Sequence, residues 1–354
     1  MVLLIAGAIG LLSWWLTAGL ARHAIFLKSI DHPNERSLHD EPTPRSGGIA
    51  ILASVFVGLG VAAVGYAFVP LSTGFLPKGF ASASPWMIGS IALVTIVSFI
   101  DDRRGLPVWI RFSVQAIAAG IVVWGVDLTL ATVPIPGMKT LSLGWAAGPV
   151  SWLFLLWMTN LYNFMDGMDG FAGGMTTLGF GFLAYFGWRA GHPFMFLTTI
   201  LVAMSAFGFL IHNFPPARIF MGDVGSIPLG FTAGTLILMG VRDGLFDLWV
   251  PIMIFSPFIM DATATVLRRT WQGEQIWKAH REHFYQRLVL SGWGHQRTVL
   301  AEYAIMVVCG VLAILYRQTD QWRLVILSLW LIMFGVLAIS VTAFEQRVRE
   351  RRSG

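Results

Sequence analysis

The sequence predicts an all-α integral membrane protein, a polytopic bundle of about eleven transmembrane helices in one domain spanning residues 1–354. The first observation is composition, because 56% of the residues are hydrophobic and only 12% are charged, whereas soluble proteins carry about 25% charged residues. The second is that uncharged runs recur along the chain. Each run approaches or exceeds the roughly 20 residues that a helix needs to cross hydrocarbon. Outer-membrane barrels would instead show short alternating segments.

The expected spans follow one another with mostly short connections, and the fourth and eighth are the shortest. We expect them near 2–22, 48–70, 83–100, 111–126, 147–164, 170–188, 193–212, 226–241, 247–266, 298–316 and 323–344. One longer connection, 127–146, contains prolines, a glycine and β-favouring residues, so we expect a small hairpin there. The charged end 345–354 is expected to fray.

The distribution of positive charge predicts the orientation in the membrane. Most of the 24 Lys and Arg residues fall on one set of alternating loops, and positively charged loops stay on the cytoplasmic side. We therefore expect the N-terminus outside and the C-terminus in the cytoplasm. The net charge of +5 then reflects topology and contact with lipid head groups rather than nucleic-acid binding. The loops with chemical motifs all fall on the cytoplasmic side: 28–47, 101–110, 163–170, 213–226 and 267–297.

Carboxylates stand at the ends of several apolar runs. Asp101 and Asp102 end one run, and Asp166 and Asp169 follow another. A carboxylate at a membrane boundary loses hydration, so it is rare there unless it has a function. Paired carboxylates bind a divalent cation, or one acts as a base while the other binds metal. For Asp101 and Asp102 the alternative is a solvated cap that ends the third helix.

Two glycine-rich motifs add to these acids. Asn163, Asp166 and Asp169 recur at every third position, so one helical turn would place them on a broad common face. Asp223 lies among glycines whose backbone N–H groups can cradle phosphate oxygens, while its carboxylate holds a cation that bridges them. Phe220, three residues earlier, could stack on a base. The alternative for Phe220 is a core or lipid-facing aromatic side chain.

Two basic loops complete the polar segments. Arg45 follows two prolines in the first loop, which also carries Arg36 and His39, and His280 and His283 lie in the last long loop. Such cations suit a phosphate or pyrophosphate group. The alternative for the first loop is a positively charged membrane anchor. For the histidines the alternatives are a solvated charged face or a zinc site, and no cysteine accompanies them.

These motifs, in this order, carry a resemblance to a known family. The segments are PTPRSGG at 42–48, DD at 101–102, NFMDGMDG at 163–170, FMGDVGS at 220–226 and HREH at 280–283. The chain resembles the polyprenyl-phosphate N-acetylhexosamine-1-phosphate transferases, glycosyltransferase family 4. This family includes the enzymes that start O-antigen and enterobacterial common antigen synthesis and phospho-N-acetylmuramoyl-pentapeptide transferase. The resemblance extends from about residue 28 to residue 300.

The resemblance implies a reaction, a cofactor and a location. Such enzymes transfer N-acetylhexosamine 1-phosphate from a UDP-sugar to undecaprenyl phosphate, release UMP, and start the synthesis of O-antigen or another cell-surface polysaccharide. The expected cofactor is Mg²⁺, with Mn²⁺ as a substitute. The expected partners are undecaprenyl phosphate, a UDP-N-acetylhexosamine and membrane lipid, without nucleic acid and with a homodimer as an option. The location is the bacterial inner membrane, with the active site facing the cytoplasm.

Residue roles follow from the same resemblance. The expected metal ligands are Asp223 and Asp166. The expected catalytic residues are Asp101, Asp102, Asp166, His280 and His283. The expected cofactor-binding residues are Arg45, Asn163, Asp169, Asn213 and Phe220. Of these, Asn163 and Asp169 are expected to line the nucleotide and metal region, and Asn213 and Phe220 to contact the uridine. Because a phosphate monoester is mostly deprotonated at neutral pH, we expect the acidic pair to position the lipid phosphate or the metal rather than to remove a proton.

Three alternatives compete with this reading. Pentapeptide transferases carry three consecutive histidines and a different first loop, so the HREH and PTPR segments favour a polysaccharide-initiating enzyme. The sugar stays open among N-acetylglucosamine, N-acetylfucosamine and N-acetylquinovosamine. A secondary transporter usually places its site near the bilayer midplane on broken helices, whereas these acids lie at the ends of spans. A scaffold protein has no need for five polar clusters on one face.

Overall fold

The structure, a computed structural model, describes residues 1–22, 30–31, 38, 41–68, 80–275 and 280–353. Arg36 and His39, together with parts of the first and last motif loops, lie outside these ranges. A helix is present at each of the eleven expected positions. Eight stretches of the described chain are long and apolar enough to cross a membrane. The chain is therefore an all-α polytopic membrane protein, while the count of eleven spans and the orientation stay predictions.

The helices are numbered here in chain order. The first seven are α1 (Val2–Arg22), α2 (Gly47–Phe68), α3 (Phe80–Arg104), α4 (Val108–Gly120), α5 (Ala147–Met165), α6 (Phe171–Arg189) and α7 (Pro193–Asn213). The others are α8 (Asp223–Arg242), α9 (Trp249–Ile254), α10 (Ser256–Trp271), the short α11 (Phe284–Leu288), α12 (Gly294–Gln318) and α13 (Arg323–Ser353). A π-helical turn extends α4, and another joins α11 to α12.

The ninth expected helix, 247–266, differs from the prediction because it is broken. The break between α9 and α10 is at Phe255, with φ −92° and ψ 10°. Pro257 follows, and its missing N–H group interrupts the helical hydrogen bonding. The Ser256 hydroxyl donates to the Met253 carbonyl at 2.6 Å, and the Trp330 indole N–H donates to the Ser256 oxygen at 3.0 Å. These bonds satisfy polar groups that hydrocarbon would leave unpaired.

The charged C-terminal segment is helical, so the expectation of a frayed end was wrong. Helix α13 continues to Ser353. The Glu345 carboxylate accepts from Arg287 at 2.6 Å and from Arg349, one turn later, at 2.6 Å. Pairs of opposite charge at this spacing support a helix, and the Arg287 contact ties the segment to α11.

Two small antiparallel pairs of strands accompany the helices. Strands β1 (Ile30–Asp31) and β2 (Thr43–Pro44) pair within the first motif loop. Strands β3 (Thr132–Val133) and β4 (Leu141–Ser142) form the hairpin predicted for 127–146, with Thr132 opposite Ser142.

Helix α8 lies at the centre of the bundle. Almost all of its side chains are buried, and small residues let its neighbours approach closely, as is usual between membrane helices. A Cβ atom on Gly230 would lie 2.6 Å from the Met158 carbonyl oxygen of α5, and one on Gly48 of α2 would collide with the backbone of Gly225. This packing fixes the first residue of α8, Asp223, at one end of the bundle.

Candidate active site

The motif loops meet in one pocket of about 260 Å³ at the end of the bundle where α8 begins. Seven of the expected site residues line it: Arg45, Asn163, Asp166, Asp169, Asn213, Phe220 and Asp223. Asp31, Leu38, Gly167, Met168, Gly222, Gln286 and His295 also line it. Residues far apart in the sequence therefore converge on a single acidic cavity.

Asp223 is the residue on which most of these contacts meet. Its Oδ1 atom accepts from the Asn163 side-chain amide at 2.9 Å and lies 3.5 Å from an Arg45 guanidinium nitrogen. Its Oδ2 atom lies 3.3 Å from Nη1 of Arg111. The carboxylate is thus held by one amide and two guanidinium groups, which fix its direction into the pocket.

Asp102 holds the start of α8 in place. Its two oxygens accept from the backbone N–H groups of Asp223 at 3.2 Å and Val224 at 2.8 Å. The helix has no side-chain cap of its own, because the preceding residue is Gly222. Only 3% of the Asp102 side chain is exposed. An acid that accepts the first N–H groups of a helix compensates the positive end of its dipole.

Gly222 must be glycine in this arrangement. Its φ of +73° is in the left-handed region that favours glycine. A Cβ atom there would lie 3.0 Å from Asp102 Oδ2 and would collide with the Arg45 carbonyl oxygen. The close approach of the first loop to α8 therefore depends on this residue.

Asp101 points to a different partner from Asp102. Its Oδ1 atom accepts from the Leu106 N–H group at 2.6 Å, and its Oδ2 atom accepts from Arg111 at 2.7 Å. Arg111 therefore bridges Asp101 and Asp223 with a single guanidinium nitrogen. Arg111 was not among the predicted site residues, although it follows Asp101 by ten residues and lies at the start of α4.

The segment 163–170 differs from the expected helical face. Asn163 is helical, but α5 ends at Met165, and Asp166 has φ −86° and ψ 47°. Gly170 has φ +75°, so the chain turns into α6 instead of continuing the helix. Asp169 accepts from the Ala217 N–H group at 3.0 Å. The three residues still share the pocket, but they reach it through this turn.

Asn213 connects the same two loops. Its side-chain oxygen accepts from the Gly170 N–H group at 3.0 Å, and its amide donates to the Ile219 carbonyl at 2.9 Å. Only 4% of Asn213 is exposed. Both polar atoms of its amide group are therefore used within the protein, so the side chain braces this wall of the pocket.

Phe220 is pinned by its backbone to the first loop. Its N–H group donates to the Pro44 carbonyl at 2.7 Å, and its carbonyl accepts from the Gly47 N–H group at 2.9 Å. The half-buried ring lines the pocket. The stacking role of this ring stays a prediction.

The two predicted histidines do not line this pocket. His283 is buried, and its Nδ1 atom lies 3.0 Å from a carboxylate oxygen of Asp261 in α10. The His280 ring lies 5.0 Å from the His283 ring. Burial, the neighbouring His283 and Arg269 lower the pKa of His280 to about 4. From the same part of the chain, Gln286 and His295 reach the pocket instead.

Electrostatics in the pocket favour a bound cation. Desolvation, and next the charge of Asp223, raise the pKa of Asp166 well above its ordinary value. Burial alone would lower the pKa of Arg45, but the charges of Asp102 and Asp223 outweigh it and raise that pKa. Clustered carboxylates therefore dominate this end of the molecule, and a positive ion would relieve their repulsion.

The donor set fits Mg²⁺ that is shared with a substrate. Within the described ranges, no three His, Cys, Asp or Glu side chains are arranged to hold a metal ion by themselves. Mg²⁺ commonly uses one or two protein carboxylates together with waters and substrate phosphates. Asp223 and Asp166 line one cavity, so two carboxylates are available there to such an ion.

Comparison with known proteins adds to this geometry. A model of glycosyl transferase family 4 matches residues 84–241. The probable undecaprenyl-phosphate N-acetylglucosaminyl 1-phosphate transferase of Bacillus subtilis is 30% identical over 330 residues, which cover 92% of this chain and 88% of that protein. Decaprenyl-phosphate N-acetylglucosaminephosphotransferase of Mycobacterium tuberculosis is 29% identical over 318 residues, with 83% and 77% covered. Phospho-N-acetylmuramoyl-pentapeptide-transferase of a Synechococcus species is 30% identical over 284 residues, with 74% and 76% covered.

Proposed function

We propose, from the premise that this chain belongs to glycosyl transferase family 4, that it transfers an N-acetylhexosamine 1-phosphate group from a UDP-sugar to undecaprenyl phosphate. The product is a lipid-linked sugar pyrophosphate, and UMP is released. Such a product starts the synthesis of O-antigen or another cell-surface polysaccharide. The bacterial relatives support the substrate pair, because their names specify a polyprenyl phosphate and N-acetylglucosamine.

One observation carries the proposal. Two carboxylates that fit a divalent cation, Asp166 and Asp223, share a cavity with Arg45, and Arg111 contacts Asp223. Phosphoryl transfer needs charge neutralisation and in-line positioning more than covalent help from the protein. A cavity that combines carboxylates for a cation with guanidinium groups for phosphate oxygens is suited to a pyrophosphate substrate.

The bond changes are those of a substitution at phosphorus. An oxygen of the lipid phosphate forms a bond to the β-phosphorus of the UDP-sugar, and the bond from that phosphorus to the bridging oxygen breaks. The bridging oxygen leaves with UMP. Bound Mg²⁺ supplies charge neutralisation on the phosphate oxygens. Because the nucleophile is mostly ionised near neutral pH, no side chain has to remove its proton.

The residues of the chain then have distinct tasks. Asp166 and Asp223 hold the cation, and Asn163 orients Asp223. Arg45 and Arg111 exchange contact with carboxylates for contact with phosphate oxygens as charge develops in the transition state. Asp102 contributes by fixing the start of α8 and Asp101 by fixing Arg111, which supports positioning roles for the acidic pair.

The remaining predicted residues are assigned to substrate binding. Phe220 offers an aromatic face to the uracil ring, and Asp169 and Asn213 shape the wall beside it. We assign His280 and His283 to the sugar phosphate or the sugar itself, where a neutral His280 acts as a hydrogen-bond partner rather than as a cation. We place the pocket on the cytoplasmic side of the bacterial inner membrane, where a soluble UDP-sugar and a lipid head group can meet.

The test is a transfer assay with the purified full chain in lipid nanodiscs. Undecaprenyl phosphate is supplied with radiolabelled UDP-N-acetylglucosamine, UDP-N-acetylfucosamine or UDP-N-acetylmuramoyl-pentapeptide, with Mg²⁺ or with EDTA. We expect UMP and a labelled lipid from an N-acetylhexosamine donor, in Mg²⁺ only. Labelled lipid from the pentapeptide donor alone would establish the peptidoglycan enzyme instead.

The matched control compares two isosteric changes. Asp223→Asn removes a carboxylate from the pocket and is expected to abolish transfer. Asp320→Asn changes an exposed acid in the turn before α13 and is expected to leave transfer unchanged. Absence of labelled lipid with all donors from a folded wild-type protein would overturn the proposed function.

A further inference from the structure

A buried carboxylate outside the pocket contacts the beginning of α11. Asp261 lies within α10 and is 8% exposed. Its Oδ1 atom accepts from the Phe284 N–H group at 3.0 Å and lies 3.0 Å from His283 Nδ1, and its Oδ2 atom accepts from the Tyr285 N–H group at 3.1 Å. One side chain therefore holds a histidine ring and the first two backbone N–H groups of a helix.

Burying a carboxylate such as that of Asp261 costs free energy of folding, so its presence calls for an explanation. A carboxylate removed from water needs hydrogen bonds to compensate for its lost hydration. Replacing a buried polar network by apolar side chains is often neutral or stabilising, so stability alone does not call for an acid here. The compensating donors of Asp261 come from the segment 283–285 and from the Thr265 hydroxyl, 3.2 Å away.

The contact with Asp261 also fixes the state of the His283 ring. An ionised carboxylate only accepts hydrogen bonds, so this contact favours the tautomer of His283 that carries its proton on Nδ1. A carboxylate that fixes a tautomer and a ring orientation is a recurrent support for functional histidines.

Helix α11, which Asp261 holds, also contacts the acidic pocket. Tyr285 is fully buried, its ring stacks on the His283 ring with the centroids 5.7 Å apart, and its hydroxyl group would collide with a Cβ atom on Gly167. Gln286 is the next residue, and its side chain lines the pocket beside Gly167. The beginning of α11 thus links Asp261 to the turn that carries Asp166.

The residue before His283, Glu282, is also held by α10. Glu282 pairs with Arg268 at 2.6 Å and with Arg269 at 2.6 Å, and both arginines lie on α10. Helix α10 therefore makes ion pairs with the residue before His283 and accepts hydrogen bonds from the two residues after it. Of the two contacts, only the one from Asp261 reaches the imidazole ring itself.

We propose that Asp261 is a positioning residue for the transfer reaction, which acts by orienting His283 and fixing the first turn of α11 against the active-site pocket. The inference rests on the proposed function, since it assigns His283 a part in the transfer. Asp261 itself does not touch a substrate. Its effect on the rate passes through His283.

The test is a double-mutant cycle on the full chain in nanodiscs. Asp261→Asn keeps the shape of the side chain and removes its charge. We expect it to lower kcat about 10- to 100-fold, the range found when the partners of metal-ligating histidines are removed, with a smaller change in the KM for the UDP-sugar. In a His283→Ala background, the same change should lower kcat less than about threefold, because residues that act as one unit are not additive.

The matched control is Glu302→Gln. Glu302 lines the same apolar cavity of about 480 Å³ as Asp261, so the change removes a neighbouring acid without altering the α11 contacts. We expect its kcat to stay within about twofold of wild type. An Asp261→Asn effect of full size in the His283→Ala background would overturn the inference, as would an unchanged kcat.

Hydrogen exchange separates this inference from the proposed function. In Asp261→Asn, the amides of Phe284 and Tyr285 should exchange faster, while Glu302→Gln should leave them protected. Unchanged protection in Asp261→Asn would refute the anchoring, whatever the activity. If Asp261→Asn exchanged faster but the wild-type protein transferred no sugar, the structural contact between Asp261 and α11 would be upheld. The catalytic role of Asp261 would then be refuted because the proposed function itself is wrong.

Discussion

The carboxylate of Asp102 accepts a hydrogen bond from the backbone N–H group of Val224 at 2.8 Å. This bond joins the end of α3 to the beginning of α8. The same carboxylate accepts from the N–H group of Asp223, so the direction of the Asp223 side chain depends on it. An acid that resembles a catalytic base therefore acts as the cap of the helix that presents Asp223, the proposed metal ligand.

Replacing Asp102 tests this interpretation. Asp102→Asn should lower the transfer rate at least about 10-fold, because one of the two hydrogen bonds that hold the start of α8 is lost. Raising the pH should not restore the rate, since a nucleophile with a second pKa near 6 is already ionised. The measurement is kcat from pH 6 to pH 9. Recovery at high pH would instead identify Asp102 as a general base.

The positive charge of Arg45 should stabilise the folded protein by neutralising nearby carboxylates, and a bound divalent cation should be able to substitute for that charge. Its guanidinium group lies 3.5 Å from both Asp102 and Asp223, so Arg45→Ala leaves two close carboxylates to repel each other. We expect a drop of several degrees in melting temperature in EDTA, a smaller drop in Mg²⁺, and about 100-fold slower transfer.

Arg242→Ala is the control for this prediction. Arg242 pairs with Asp243 at 2.8 Å at the far end of α8, away from the pocket. Its effect on the melting temperature should be the same in EDTA and in Mg²⁺. Equal losses for Arg45→Ala in both solutions would mean that no cation binds beside Asp223.

The contact between Gly48 and Gly225 should be intolerant of a methyl group. Gly48→Ala would force its Cβ atom into the α8 backbone, and overpacking of this kind costs about 1–3 kcal/mol. Gly60→Ala in the same helix meets open space and should be neutral or stabilising, because alanine favours a helix over glycine by about 1 kcal/mol. Thermal unfolding in one detergent compares the two, and equal melting temperatures would contradict the close contact.

His280 should act as a neutral residue throughout the working pH range. Burial and the nearby cations lower its pKa to about 4, so the ratio of wild-type to His280→Gln rates should be constant from pH 6 to pH 9. A ratio that changes within this range would show that the charged form takes part in the reaction.

The same lowered pKa affects stability, and the sign can be worked out. The unfolded chain binds a proton at His280 near pH 6.5, whereas the folded chain does so only near pH 4. Between these values the unfolded state binds more protons, so the folded state loses stability as the pH falls. The free energy of unfolding of His280→Gln should therefore exceed that of wild type at pH 4.5, and the two should be about equal at pH 7.5.

The positions of the helices were predictable because long uncharged runs have few alternative structures in a membrane. The break at Phe255 was not, since the run 247–266 carries no charge between Asp247 and Asp261 and looks continuous. The signal was Pro257, which cannot complete the helical hydrogen bonding. The helix at the C-terminus was missed because its support comes from Arg287, which is 58 residues away from Glu345.

Three acids of the pocket, Asp166, Asp169 and Asp223, were predictable from the sequence, but their contacts were not, and neither were Gln286 and His295. Asp223 and Asp166 stand beside glycines at the ends of apolar runs, and this placement identified them. Arg111 was not among the predicted site residues, because only the fold brings it between Asp101 and Asp223. Asp261 lies inside a span instead of at its end, so the rule that found the other acids passed over it.

The hydrogen bonds between Phe220 and the first loop use main-chain atoms alone. Substitutions that leave the backbone in place can therefore alter the side chains at this edge of the cavity without losing the pairing. Selection for a different sugar or nucleotide can act on these positions while the phosphate-handling groups keep their places. Substitutions at Phe220 and in the adjoining first loop are therefore the first to try when a different donor preference is sought.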